Sequence, residues 1–226
     1  NYELLDINVN GSGDNEGISD WNHTNCISYN PTLDQIVLSS RFMSEFYVID
    51  HSTTTNQASS HTGGNSNMGG DFLYRWGNPQ IYNRGNNSDQ ILDDQHSVNW
   101  IYEGYPGEGN LILFNNRHQG NQSAGLEFEP PLMDDGNYTL LGTQPYGPEE
   151  PTWVYHPGQG WHTNVQGGAF RLPNGNTIIT SSGNLFEINA SNEIEWIYNG
   201  NLSPTRVIKY SFDLLILIHI GFDSVP

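Results

Sequence analysis

Apolar residues in this chain come in short runs separated by Gly, Asn, Asp and Pro. Examples are Gln35-Ile36-Val37-Leu38-Ser39-Ser40 and Asn176-Thr177-Ile178-Ile179-Thr180-Ser181. β-Branched and aromatic residues dominate the runs, and no stretch keeps a sustained helical apolar period, so the pattern predicts strands. They fall into a repeat. A first unit holds Asn25–Tyr29, Gln35–Ser40, Glu45–Asp50 and Phe72–Trp76. A second holds His96–Ile101, Asn110–Phe114, Gly125–Glu129 and Thr152–Tyr155, and a third Gln166–Arg171, Asn176–Ser181, Asn184–Asn189 and Glu193–Tyr198. Each unit's last strand carries an aromatic signature: Phe72-Leu73-Tyr74-Arg75-Trp76, Thr152-Trp153-Val154-Tyr155 and Ile194-Glu195-Trp196-Ile197-Tyr198. Four strands per repeated unit is the plan of a β-propeller blade.

The predicted fold is therefore all-β, an incomplete propeller forming a single partial domain over 1–226. Residues 1–20 read as the end of a preceding blade, 21–80, 95–156 and 165–200 as blades, and 205–226 as the start of a following one with a divergent tail. Two long insertions, Ser52–Asp71 and Pro130–Pro151, are expected at a functional rim. The apolar run Leu214–Ile218 would be an aggregation hazard on an open edge.

Composition fits this picture: 35% hydrophobic, only 14% charged, with 25 Gly and 12 Pro. The formal net charge of −18 disfavours nucleic acid and anionic membranes as partners. No apolar span is long enough for a membrane helix. The single cysteine, Cys26, permits no internal disulfide and is expected as a buried, inert thiol on a strand. Asp6-Ile7-Asn8-Val9-Asn10-Gly11 matches the first half of a calcium loop, but Gly17 stands where a bidentate Glu is needed, so a turn explains it as well. Zincin, Cys-x-x-Cys, nucleophile-elbow and phosphate-loop patterns are absent, so no cofactor or metal is expected.

Candidate chemistry sits at the strand ends. His23 and Asn25 open the first strand and Arg41 closes the second, so antiparallel pairing brings them to one end of the sheet. An imidazole beside a fixed cation and an amide donor suits an anion. His96 follows Asp93-Asp94-Gln95 and holds in the second unit the place that His23 holds in the first. Strand starts of successive blades converge on a propeller axis, which would let the two histidines meet. His162-Thr163-Asn164 repeats the His23-Thr24-Asn25 triplet at a different offset and is read as coincidence or rim decoration.

With those residues on the page, the chain resembles the bacterial aryl-sulfate sulfotransferases, PAPS-independent enzymes, in their arylsulfotransferase-like branch. The resemblance rests on His23-Thr24-Asn25, Ser39-Ser40-Arg41 and Gln95-His96. Longer matches support it: Val48–Thr55, His61–Asn65, Gly70–Gln80, Leu113–Asn116 and Arg171–Thr177. It implies a six-bladed propeller and transfer of a sulfuryl group from a phenolic sulfate ester to a phenol acceptor, without a cofactor. It further implies that His96 is the nucleophile, sulfated transiently in a ping-pong cycle. His23, Asn25 and Arg41 would surround the sulfuryl group. The family works outside the cytoplasm, in the periplasm or secreted. Another active-site histidine would lie in an earlier blade, ahead of Asn1. A homo-oligomer is compatible with the sequence. The competing reading is a non-catalytic propeller that binds a partner through its Asn- and Gly-rich loops. A quinone-dependent propeller dehydrogenase is weaker, since nothing matches its ligand set.

Overall fold

A computed structural model describes residues 20, 22–158, 160–181, 183–198 and 204–209. Among the described residues, twelve strands form three four-stranded antiparallel sheets, each paired in chain order. The first holds β1 (Thr24–Asn30), β2 (Gln35–Ser40), β3 (Glu45–Asp50) and β4 (Phe72–Trp76). The second holds β5 (His96–Trp100), β6 (Leu111–Asn115), β7 (Ala124–Phe128) and β8 (Trp153–Tyr155). The third holds β9 (Gly168–Arg171), β10 (Thr177–Ser181), β11 (Asn184–Ile188) and β12 (Ile194–Ile197). Strand order follows chain order, with antiparallel neighbours joined by hairpin turns except where the two long insertions lead into β4 and β8.

The side-chain period of two explains how the sheets layer. Strand β6 is apolar on both faces: Leu111 and Leu113 join one core cluster, Ile112 and Phe114 another. The first cluster fills the space between the first and second sheets with Val48, Phe46, Trp76, Val98 and Phe128. Phe128 stacks on Phe46 at 5.3 Å and on Trp76 at 4.4 Å. The second packs Ile112 and Phe114 against Ala169, Ile179 and Phe186 of the third sheet. Each such fully buried side chain stabilises by roughly 1.5–3 kcal/mol. Cys26 is buried as expected, and its Sγ donates to the Val98 carbonyl at 3.1 Å, pinning β1 to β5.

The insertions differ from a simple functional rim. Ser52–Asp71 contains α1 (Thr55–Ala58), opened by a Thr54–Gln57 capping box. Pro130–Pro151 is bound down over the first sheet. Tyr138 stacks on Tyr74 at 4.8 Å and donates to Gln35 Oε1 at 2.7 Å, while Trp76 Nε1 donates to the Pro148 carbonyl at 2.8 Å. Arg84 holds the Gly142 carbonyl at 2.8 Å. This loop closes the aromatic core as a packing element. Thr205–Lys209 carries no strand, whereas one was expected to begin there. The part-blade expected over 1–20 lies, Asp20 apart, outside the described residues, as do the calcium-loop segment and the Leu214–Ile218 run.

Candidate functional site

The strand ends that carry the candidate residues lie together because β1 and β2 pair Thr24 with Ser40. The register slips between Thr24 and Cys26, so Asn25 sits on a bulge. A second slip, between His96 and Asn99, follows His96 in β5. Bulges re-aim a side chain at the cost of ladder regularity. Both strand entries also hold non-glycine residues in the left-handed region: His23 at φ 49°, Asp94 at 56° and Ser97 at 58°.

The first sheet grips the residue preceding His96. Asn25 Nδ2 donates to the Gln95 carbonyl at 2.7 Å. The Gln95 side chain is fully buried, and its Nε2 donates to the Ser40 and Glu45 carbonyls, both at 2.8 Å. The hairpin carrying Asn25 and Arg41 and the strand carrying His96 are thus one wired unit.

His96 is buried, and its surroundings select one tautomer. Nδ1 lies 2.9 Å from the Asp94 carbonyl and 2.8 Å from Asn116 Oδ1. The Asn116 amide is oriented by its other end, where Nδ2 donates to the Thr163 carbonyl at 2.8 Å and the Gln166 carbonyl at 2.9 Å. Nδ1 therefore faces two acceptors and carries the proton, and Nε2 presents its lone pair. The Gln166 amide N–H approaches Nε2 at 3.3 Å. Burial pushes the His96 pKa below the ordinary histidine value, Arg41 adding to this, against the raising effect of the Asn116 and Asp94 hydrogen bonds. The ring is thereby held neutral near pH 7, the form a nitrogen nucleophile needs.

Charge around the ring is unusual for so acidic a chain. Of seven Lys and Arg residues, two converge on one carboxylate. Arg41 Nε lies 3.0 Å from Asp94 Oδ1 and Arg117 Nε 3.2 Å from Asp94 Oδ2. The Arg41 contact is an ion pair without hydrogen-bond alignment. Arg41 also lies over the Phe42 ring at 5.1 Å. Arg117 closes the second strand of its sheet just as Arg41 closes that of the first. Asp93 is half-buried; burial first, then the neighbouring Asp94, raises its pKa, against the two guanidiniums.

Asn25, Arg41 and His96 are joined through Asp94 and Gln95. The His23 ring is not linked to them by a bond among the described residues. Its Nδ1 meets Asp20 Oδ2 at 2.5 Å and its ring packs against Phe42 at 4.8 Å, while its carbonyl accepts from the Arg41 amide at 3.2 Å. Asp94, Asn116 and Arg117 are not singled out as site residues by the sequence, although Asn115-Asn116-Arg117 stands in its unit where Ser39-Ser40-Arg41 stands in the first. The His162-Thr163-Asn164 triplet is not decoration. The Thr163 carbonyl accepts from Asn116, and its amide donates to Ser123 Oγ at 2.9 Å. Gly167, at φ 114°, continues this segment; a Cβ there would come within 2.5 Å of the Phe114 ring, so the close approach needs glycine. Among the described residues no group of three or more His, Cys, Asp or Glu could hold a metal ion, and no helix is long and apolar enough to cross a membrane.

No curated protein matches the chain. A crystal structure of a protein of unknown function from Bacteroides caccae matches at 12% identity and a TM-score of 0.33, covering 79% of this chain and 61% of its own. The arylsulfotransferase (ASST) family model matches residues 6–138, a span that includes both arginines on Asp94, the Asn25 bulge and His96. More than half the sequence lies inside that match, and the chain belongs to the arylsulfotransferase family.

Proposed function

We propose that this protein transfers a sulfuryl group from a phenolic sulfate ester to a phenol acceptor, with His96 as the nucleophile. The observation that carries the reading is a buried imidazole with a proton-free Nε2, set beside two guanidiniums that share one carboxylate. In the first half-reaction the Nε2 lone pair attacks sulfur. An N–S bond forms, the S–O bond to the aryl group breaks, and the phenolate leaves with that electron pair. In the second, the acceptor phenol oxygen attacks sulfur as its proton departs, and the N–S pair returns to Nε2. Such transfer resembles phosphoryl transfer, in which positioning and charge stabilisation do most of the catalysis.

Arg41 is assigned to the sulfuryl oxygens, with Asn25 as a further donor. Asn25 Nδ2 gives one of its two hydrogens to the Gln95 carbonyl at 2.7 Å, which leaves the second N–H to donate. His23 is assigned the acid and base role at the phenol oxygen. Asp20 engages its Nδ1, and no partner is recorded for its other nitrogen among the described residues. The three sheets are read as successive blades of a propeller, six-bladed as in the resemblance, and the protein as working outside the cytoplasm. Both assignments are supported by the family relationship.

The direct test is turnover of 4-nitrophenyl sulfate with a phenol acceptor. Arg41→Ala should lower kcat about 10²–10³-fold, the usual loss for one anion-stabilising donor. An unchanged rate would remove Arg41 from the chemistry. Salt supplies a second expectation. The net charge of −18 repels an anionic ester at long range, and ions screen that repulsion over about 8 Å at physiological strength. kcat/KM should therefore rise from low to physiological salt, and a flat profile would count against electrostatic opposition to capture.

A further inference from the structure

We infer that Asn116 is a positioning residue that sets the orientation of His96 and ties it to the segment between the second and third sheets. The inference deepens the proposed role of His96, although its test does not need sulfuryl transfer. Asn116 is fully buried, and its amide is saturated in a directional way. Oδ1 accepts from His96 Nδ1 at 2.8 Å, and Nδ2 donates to two carbonyls, Thr163 at 2.8 Å and Gln166 at 2.9 Å. Its own carbonyl accepts from Ser123 Oγ at 2.8 Å, and Ser123 Oγ in turn accepts from the Thr163 amide at 2.9 Å.

One side chain thus fixes both partners of the His96 ring. It holds the Nδ1 proton directly. By gripping the Gln166 carbonyl it also holds the segment whose amide N–H lies 3.3 Å from Nε2. Residue Gln166 sits at φ 64°, a backbone state that a surrounding network must maintain. A buried amide serving only as filler would not need three hydrogen bonds aimed at two separate segments. Loss of Asn116 should release the ring and the Gln166 N–H together.

The test compares Asn116→Asp with Asn116→Leu by 15N NMR of the histidine rings, with His96 assigned from a His96→Ala spectrum. Neither replacement has an amide to donate to Thr163 and Gln166, so the two lose the same support of that segment. They differ in what faces Nδ1, and the aspartate also sets its second oxygen against those two carbonyls. Asp94 and Arg41 act on the ring from the β5 entry and the end of β2, Arg117 reaches it only through its ion pair with Asp94, and His162 begins the neighbouring segment; all are common to both variants. Asn116→Asp places a carboxylate on Nδ1 and should move the His96 titration midpoint up by about one pH unit or more. Asn116→Leu removes a hydrogen bond that favours the charged ring and should move it down. Shifts of the same sign, or no shift, would reduce Asn116 to a structural prop and overturn the inference. The unmodified protein gives a second readout should a variant fail to fold: Nδ1 should resonate as a protonated nitrogen and Nε2 as a bare one. The reverse pattern would overturn it as well. Because these shifts are read without substrate, the inference can fail while sulfuryl transfer stands, and the converse.

Discussion

Arg75→Met should destabilise the fold by about 3–5 kcal/mol, the cost of leaving a buried charge without its partner. That is a large share of the roughly 5–15 kcal/mol that holds a domain together. Arg75 lies on β4 with no exposure, and it grips Glu45 of β3 in a two-pronged fashion, Nε to Oε1 at 2.9 Å and Nη2 to Oε2 at 2.5 Å. Tyr82 covers the guanidinium at 4.4 Å, with Tyr47 at 5.5 Å and Phe72 at 5.6 Å. The pair also supports the candidate site, since the Glu45 carbonyl accepts from Gln95, the residue before His96. Burial pushes the Glu45 carboxyl up to about 7 even against Arg75. A carboxyl whose folded pKa exceeds its unfolded value of 4.5 binds more protons when folded. Its contribution is fully present below 4.5 and is lost as pH rises through 7. Without Arg75 the carboxyl rises further, so the variant's deficit should be larger at pH 8 than at pH 5. Urea midpoints at the two pH values measure this, and an equal or smaller deficit at pH 8 would contradict it.

His96→Ala should abolish turnover of an aryl sulfate, by about 10⁴–10⁶-fold, as expected when a covalent nucleophile is removed. The fold should survive, since the deletion costs the Nδ1 hydrogen bonds and the longer one from the Gln166 amide, and leaves Asn116 Oδ1 one partner short, about 1–3 kcal/mol. Circular dichroism of the variant separates lost chemistry from lost structure. A variant that stays folded and keeps a tenth or more of the rate would exclude His96 as the nucleophile. The pH profile carries a matching expectation: because burial lowers the His96 pKa, the rate should hold to lower pH than a free imidazole would allow before protonation of Nε2 shuts it off.

Much of this architecture is legible in the sequence for a plain reason. Strands such as Gln35–Ser40 and Leu111–Asn115 are buried on one or both faces, and burial leaves a compositional trace that turns of Asn, Gly and Pro then punctuate. Residues at strand ends are also readable, which is how Asn25, Arg41 and His96 stand out. What hides is whatever depends on register. Asp94 meets Arg41 from the first sheet and Arg117 from the second, and nothing in Asp93-Asp94-Gln95 announces a meeting across sheets. Asn116 was within reach, as its Asn-Asn-Arg mirrors Ser-Ser-Arg one unit earlier. The triplet at His162 misleads in another way. Its working groups are the Thr163 carbonyl and amide, and backbone atoms carry no residue identity. The His23 ring turns to Asp20 and Phe42, a local preference at φ 49° that strand placement alone does not reveal. In Pro130–Pro151, length suggests a functional rim, whereas Tyr138 and Tyr146 make the loop part of the core.

The central claim is that Nε2 of His96 becomes covalently sulfated. Intact mass spectrometry after brief mixing with 4-nitrophenyl sulfate, without an acceptor, tests it most directly. The account predicts a gain of one sulfuryl group on the unmodified protein, release of one equivalent of nitrophenol, loss of the adduct when phenol is added, and no adduct on folded His96→Ala. An adduct that persists on His96→Ala, or turnover that proceeds with no adduct at any time point, would contradict it.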